Sequence, residues 1–94
     1  MQKEIKDIIQ SINNHKKLVL DFHILQSEVS SIEENAYYYY QCEYNMDICK
    51  DLINSLYDAL ATIDIIDSEE IENYLLNNFN FKIFNTQFIW GYME

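Results

Sequence analysis

Four carboxylates recur at helical spacing in the middle of the chain. They are Glu43, Asp47, Asp51 and Asp58, and their intervals of four, four and seven place them along one side of an α-helix, in a row about 22 Å long. Like charges four residues apart destabilise an isolated helix by roughly 0.2 to 0.5 kcal/mol per pair. Two interpretations are open. The row is either a solvated helix face, or a set of charges that imitates phosphate groups and binds the basic groove of a nucleic-acid-binding protein.

Imitation of a nucleic acid requires more carboxylates than this row contains. Duplex DNA carries about one charge per 1.7 Å of its axis, whereas the row offers about one per 6 Å. A second group of acids would have to complete the surface. The available residues are Asp64, Asp67, Glu69, Glu70 and Glu72.

A run of tyrosines precedes the acidic row. Tyr37, Tyr38, Tyr39 and Tyr40 are consecutive, and Tyr44 follows one turn later. Four consecutive residues cover every side of a helical turn, so we expect at least two of these rings to face solvent. Tyrosine is enriched at the energetic centres of protein interfaces, and Tyr37, Tyr38 and Tyr44 are the predicted anchors. The alternative places Tyr39 and Tyr40 in the core and the other rings over the surface.

Residues and motifs that would indicate catalysis are scarce. The single glycine, Gly91, excludes a glycine-rich phosphate loop, and the sequence contains no Gly-x-Ser-x-Gly, His-x-x-x-His or Cys-x-x-Cys motif. His15 and His23 are isolated. On a helix, Cys42 and Cys49 lie about 10 Å apart, too far for a disulfide, and are expected to be buried thiols. The sequence therefore predicts no enzyme, no metal site and no cofactor.

The charge balance favours certain partners over others. Sixteen Asp and Glu against six Lys, with no Arg, give a net charge of −10, which repels nucleic acid and anionic membrane surfaces. We therefore predict no direct nucleic-acid binding and no membrane binding. Neither a secretory signal nor an apolar run of about 18 residues is present, which predicts a cytoplasmic protein. Abundant Ile, Asn, Lys and Tyr without Arg is typical of AT-rich genomes, such as those of low-GC bacteria and their phages.

Apolar spacing predicts two long helices. In residues 2–28 the apolar residues recur at intervals of three and four, with Asn13 and Asn14 as a candidate break. Two overlapping Ser-x-x-Glu capping boxes in residues 30–34 predict the start of a second helix. A candidate interruption of that helix lies near Asn45. Its predicted apolar positions are Ile32, Ala36, Tyr39, Cys42, Met46, Cys49, Ile53, Leu56, Leu60 and Ile63.

The rest of the chain is expected to cover one side of this helical hairpin. Asp67 and Ser68 before Glu69 and Glu70 predict a third helix over residues 69–78. Near residues 79–90 we expect either a small β element, as a short edge hairpin, or a final helix capped by Asn85, and the lack of turn residues favours the helix. The aromatic C-terminal segment is expected to close the hairpin, or alternatively to dock a partner. Its residues are Phe84, Phe88, Ile89, Trp90 and Tyr92.

The predicted fold is therefore a single acidic all-α domain over residues 1–94. Its predicted function is binding of another protein, as an inhibitor or regulator that occupies a basic, nucleic-acid-binding surface. Inhibitors of CRISPR or restriction systems, encoded by phages or mobile elements, have this character. The alternatives are an immunity protein or antitoxin against a basic toxin, and a structural subunit of a homodimeric helical bundle.

Overall fold

The computed structural model describes residues 2–83 and contains three helices. Helix α1 spans Gln2–Glu28, α2 spans Ile32–Ala61 and α3 spans Ser68–Phe79. The all-α prediction of two long helices and a short third is confirmed. The alternative β element is wrong for residues 80–83, which form no strand. The rest of that prediction, the final helix and the whole aromatic C-terminal segment lie outside the described residues. Within residues 2–83, none of the helices has the length and apolar content needed to cross a membrane.

Side-chain caps determine where α2 and α3 begin. Ser31 has extended backbone angles, and its hydroxyl accepts a hydrogen bond from the Glu34 amide at 3.4 Å, as the second predicted capping box requires. The Asp67 carboxylate accepts from the Glu69 amide at 2.8 Å. Asn80 caps the C-terminus of α3, and its φ of 51° lies in the left-handed region that asparagine tolerates.

Replacing Asp67 with alanine is expected to lower the free energy of unfolding by about 1 kcal/mol, because the first turn of α3 loses the acceptor for an otherwise unpaired amide. The measurement is urea denaturation followed by circular dichroism. Ser68→Ala is the matched control, since Ser68 is the first residue of α3 and not its cap. Equal losses for the two variants would contradict a capping role for Asp67.

Both predicted interruptions of the long helices are wrong. Helix α1 continues through Asn13 and Asn14, whose side chains are exposed, and α2 continues through Asn45. An asparagine costs a helix interior less than 1 kcal/mol, which the packing of the hairpin offsets. In addition, the side-chain amide of Asn45 donates a hydrogen bond to the Gln41 carbonyl at 2.8 Å.

The core has two parts along the hairpin. The proximal core contains eleven buried residues, and α3 contributes to it through Ile71 and Leu75, as do Phe81 and Ile83. The distal core is small. It consists of Val19, Cys42, Met46 and Cys49, with Phe22 packed against them.

Among the described residues, α3 covers only part of the hairpin, which explains its elongated shape. The principal extents are 49, 22 and 19 Å, and the radius of gyration is 15.2 Å, against about 12 Å for a compact domain of this length. At the turn, Ile32 is 88% exposed, and Ala36 and Tyr39 are exposed as well, so their predicted core positions are wrong. The two helices are instead joined there by a hydrogen bond from the Asn35 amide group to the Gln26 carbonyl at 3.2 Å.

Candidate partner-binding surface on the second helix

Three of the predicted carboxylates lie on the outer side of α2, away from the core. Asp47, Asp51 and Asp58 are exposed, whereas the intervening Ile53 and Leu56 are buried. The three aspartates span about 16 Å of the helix axis. The structure therefore places this part of the row on the solvent side, as the spacing predicts.

Three exposed tyrosines extend the same side of α2 toward the turn. Tyr37, Tyr40 and Tyr44 are 56%, 61% and 54% exposed. The rings of Tyr40 and Tyr44 stack, with centroids 6.4 Å apart and planes 9° from parallel. Together with the aspartates they follow intervals of three, four, three, four and seven, so all six share one side of the helix over about 32 Å. The outer stripe is Tyr37, Tyr40, Tyr44, Asp47, Asp51 and Asp58.

Glu43 does not belong to this stripe. It is half-buried, and its carboxylate accepts a hydrogen bond from the hydroxyl of Tyr39, one turn earlier. That hydrogen bond, and secondly the negative charge of Glu43, raise the pKa of Tyr39 because both favour the protonated phenol. Glu43 and Tyr39 therefore form a pair at the edge of α2.

Tyr38 is not an exposed anchor. Its ring is half-buried and lies 6.1 Å from that of Phe22 on α1, and the Tyr37 ring meets it edge-on at 5.4 Å. The alternative that placed Tyr39 and Tyr40 in the core is wrong, since they are 51% and 61% exposed. Tyr38 is the member of the run that faces α1. Sequence reasoning did not place Tyr40 on the exposed side with Tyr44, although its position four before Tyr44 and seven before Asp47 could have identified it.

The remaining predicted acids lie outside α2. Glu69, Glu70 and Glu72 are exposed on α3. The first two lie in its first turn, where a negative charge interacts favourably with the positive end of the helix dipole. Asp64 and Asp67 lie in the connection between α2 and α3. The predicted acidic set is therefore divided among α2, α3 and the connection between them, and only its α2 part is continuous with the tyrosines.

A polar pair inside the hairpin was not anticipated. Asn45 is only 4% exposed, and its side-chain oxygen lies 3.0 Å from Nδ1 of His15 on α1. The sequence signal was a polar residue three after Cys42 and four before Cys49, a position next to the core. Each side chain gives the other a hydrogen-bond partner, which the Asn45 side-chain oxygen and the His15 ring nitrogen need inside the hairpin. The role of the pair is therefore structural.

Both cysteines are buried thiols, as predicted. Cys42 and Cys49 are 1% and 0% exposed, and their sulfur atoms lie 3.6 Å from the Val19 carbonyl and 3.9 Å from the Ile12 carbonyl. Burial raises the pKa of both thiols, that of Cys49 to about 11. A thiol held in its protonated form is a poor nucleophile. Within residues 2–83, no cluster of three or more His, Cys, Asp or Glu side chains could hold a metal ion.

A groove of about 810 Å³ lies between α1 and the end of α3, away from the outer stripe. Ile9, Leu76 and Phe79 form its apolar lining, and the polar lining consists of Lys6, Gln10, Asn13, Asn14, Asn77, Asn78 and Asn80. These side chains offer hydrogen bonds and contain no carboxylate. The groove and the outer stripe are therefore chemically unlike.

No protein-family model, curated protein or solved structure matches this chain.

Proposed function

We propose that this chain is a small acidic protein that inhibits or regulates another protein by occupying its basic, nucleic-acid-binding surface. The observation that carries the proposal is the outer stripe, in which three exposed tyrosines continue directly into three exposed aspartates on one side of α2. Both halves of the stripe lie on a single rigid helix. A partner can therefore contact them together.

The two halves of the stripe have different roles in such a complex. The rings of Tyr40 and Tyr44 offer a large apolar area at low entropic cost, with hydroxyl groups that tolerate water, which are the properties of interface anchors. The aspartates face the lysine and arginine side chains that would otherwise contact phosphates. The net charge of −10 accelerates encounter with a basic surface and disfavours acidic partners.

The finer proposal is an inhibitor encoded by a phage or mobile element that acts on the nucleic-acid machinery of a bacterial host, as anti-CRISPR and anti-restriction proteins do. Two features support this finer proposal: the amino-acid composition, which is typical of AT-rich genomes, and the acidic surface. An inhibitor of this kind acts in stoichiometric amounts, because it blocks a surface and does not turn over a substrate.

The test is affinity capture of the tagged full chain from a low-GC bacterial lysate, followed by elution with a 24-base-pair DNA duplex. We expect a basic protein to be captured, and to be released by the duplex and by high salt. The variant Asp47→Lys/Asp51→Lys/Asp58→Lys should reduce its capture at least roughly 100-fold, since each attraction becomes a repulsion.

The matched control is Asp7→Lys/Asp21→Lys/Glu28→Lys, which makes the same change in net charge at exposed positions of α1. It should retain most of the binding. Equal loss for the two triple variants would show that net charge alone drives capture. Capture that survives reversal of the outer stripe, or that the duplex does not reverse, would refute the proposal.

A further inference from the structure

Each helix of the hairpin carries a second stripe beside its core stripe. On α1 the intervals are four, three, four and three, with Val29 four residues further on and just beyond the helix, and on α2 they are three, four, three and four. The side face consists of Ser11, His15, Leu18, Phe22, Leu25 and Val29 with Tyr38, Gln41, Asn45, Ile48 and Leu52. Helices that pack side by side use this repeat against a neighbour. A helix with two such stripes has the pattern of one that packs against two neighbours.

Contacts between the helices show that the two second stripes share one side of the hairpin. His15 on α1 pairs with Asn45 on α2 at 3.0 Å, and the ring of Phe22 lies 6.1 Å from that of Tyr38. Leu18 and Leu25 remain 39% and 38% exposed on this side. The side face is therefore continuous across both helices and partly open.

The side face is free of Asp, Glu and Lys. Its eleven residues include no acidic residue and no lysine, although 22 of the 94 residues in the chain are Asp, Glu or Lys. His15 is the one histidine of the side face, and its Nδ1 lies 3.0 Å from the side-chain oxygen of Asn45. Because the side face carries no Asp, Glu or Lys in a chain of net charge −10, an uncharged, apolar surface can pack against it without burying such a charge.

Helix α3 does not cover this face. The end of α3 adjoins α1 at Ile9, Asn13 and Lys16, with which it forms two grooves. At 100° per residue those positions lie roughly opposite Ser11 and Leu18 on the circumference of α1. The third helix therefore packs on the other flank of the hairpin.

We propose that a second copy of this chain covers the side face, forming a two-fold dimer in which two hairpins make a four-helix bundle. In a two-fold interface the same patch meets itself, so charge-free surface meets charge-free surface. Two copies of a −10 chain repel one another over their acidic sides, and contact through the side face brings no further carboxylates together. The outer stripe lies on another side of α2, so this inference does not rest on the proposed function.

The experiment is sedimentation equilibrium of the full chain with two matched variants. Wild type should have twice the chain mass of 11.3 kDa. Leu18→Lys/Leu25→Lys places two charges in the side face and should raise the dimer dissociation constant at least roughly 100-fold. Leu20→Lys/Ile24→Lys changes similarly exposed residues on the opposite flank of α1 and should leave the dimer intact.

Thermal denaturation keeps the test decisive if the side-face variant folds poorly. The melting temperature of a dimer rises with protein concentration, and that of a monomer does not. Wild type should show the rise and Leu18→Lys/Leu25→Lys should not. A wild-type mass of 11.3 kDa up to about 1 mM, as expected if another segment or another protein covers the face, would overturn the dimer. Equal dissociation of the control would also overturn it, whereas reversal of the outer-stripe aspartates should leave the mass unchanged.

Discussion

Replacing Leu56 with alanine is expected to lower the free energy of unfolding by about 3 kcal/mol. Leu56 is 0% exposed in the proximal core, so the substitution removes buried methyl groups and leaves a cavity that the surrounding side chains fill only partly. A chain of this size has a total stability on the order of 5 to 10 kcal/mol, so the loss is a large fraction of it. Urea denaturation followed by far-ultraviolet circular dichroism measures the change.

Tyr57 provides the matched control for this prediction. It is the next residue in the same helix and is 41% exposed. Tyr57→Ala should cost less than about 1 kcal/mol, because no comparable cavity forms and alanine favours the helix. If Tyr57→Ala destabilised the protein as much as Leu56→Ala, the position of the core within α2 would be wrong.

Alkaline pH is expected to destabilise the protein through Cys49. Burial raises the pKa of this thiol from its ordinary value of 9.0 to about 11. Below pH 9 both the folded and the unfolded states hold the proton. Between pH 9 and 11 the unfolded thiol ionises while the folded one stays protonated, so stability falls as pH rises. The contribution lost above pH 11 is up to about 3 kcal/mol.

Free energies of unfolding at pH 7.5, 9 and 10.5 test this dependence. Cys49→Ala should be less stable than wild type at pH 7.5, since it leaves a small cavity, but should lose less stability as the pH rises. Part of the slope should persist, because the pKa values of Cys42 and Tyr39 are raised as well. Parallel pH curves for wild type and variant would show that the Cys49 thiol is not linked to folding.

Local signals in the sequence predicted the helices and their starts accurately. The interval of three and four identified α1 and α2, and the serine and aspartate caps placed the starts of α2 and α3 within one residue. These features depend on neighbours within one or two turns, which the sequence contains. The asparagine interruptions were wrong because a weak local preference is overridden when the whole helix packs against a partner helix.

The candidate site was predicted in part. The spacing of Asp47, Asp51 and Asp58 was sufficient to place them on one side of α2, because that depends on helix geometry alone. It did not show that Glu43, one turn earlier, is half-buried. Which tyrosine faces the core could not be decided in this way. Tyr38 is drawn inward by Phe22, a residue 16 positions earlier, and that contact depends on how the helices pair.

The sequence by itself determined the helical class, the acidic character and the caps, because propensity, charge and capping act over short distances. Only the tertiary structure decided the register of the hairpin, and with it the pairing of His15 with Asn45 and the burial of Tyr38. It also decided that α3 packs on the proximal core and not on the distal one, so that α3 does not cover the side face. Contacts between residues distant in sequence depend on the relative placement of whole helices, which the pattern within each helix does not specify.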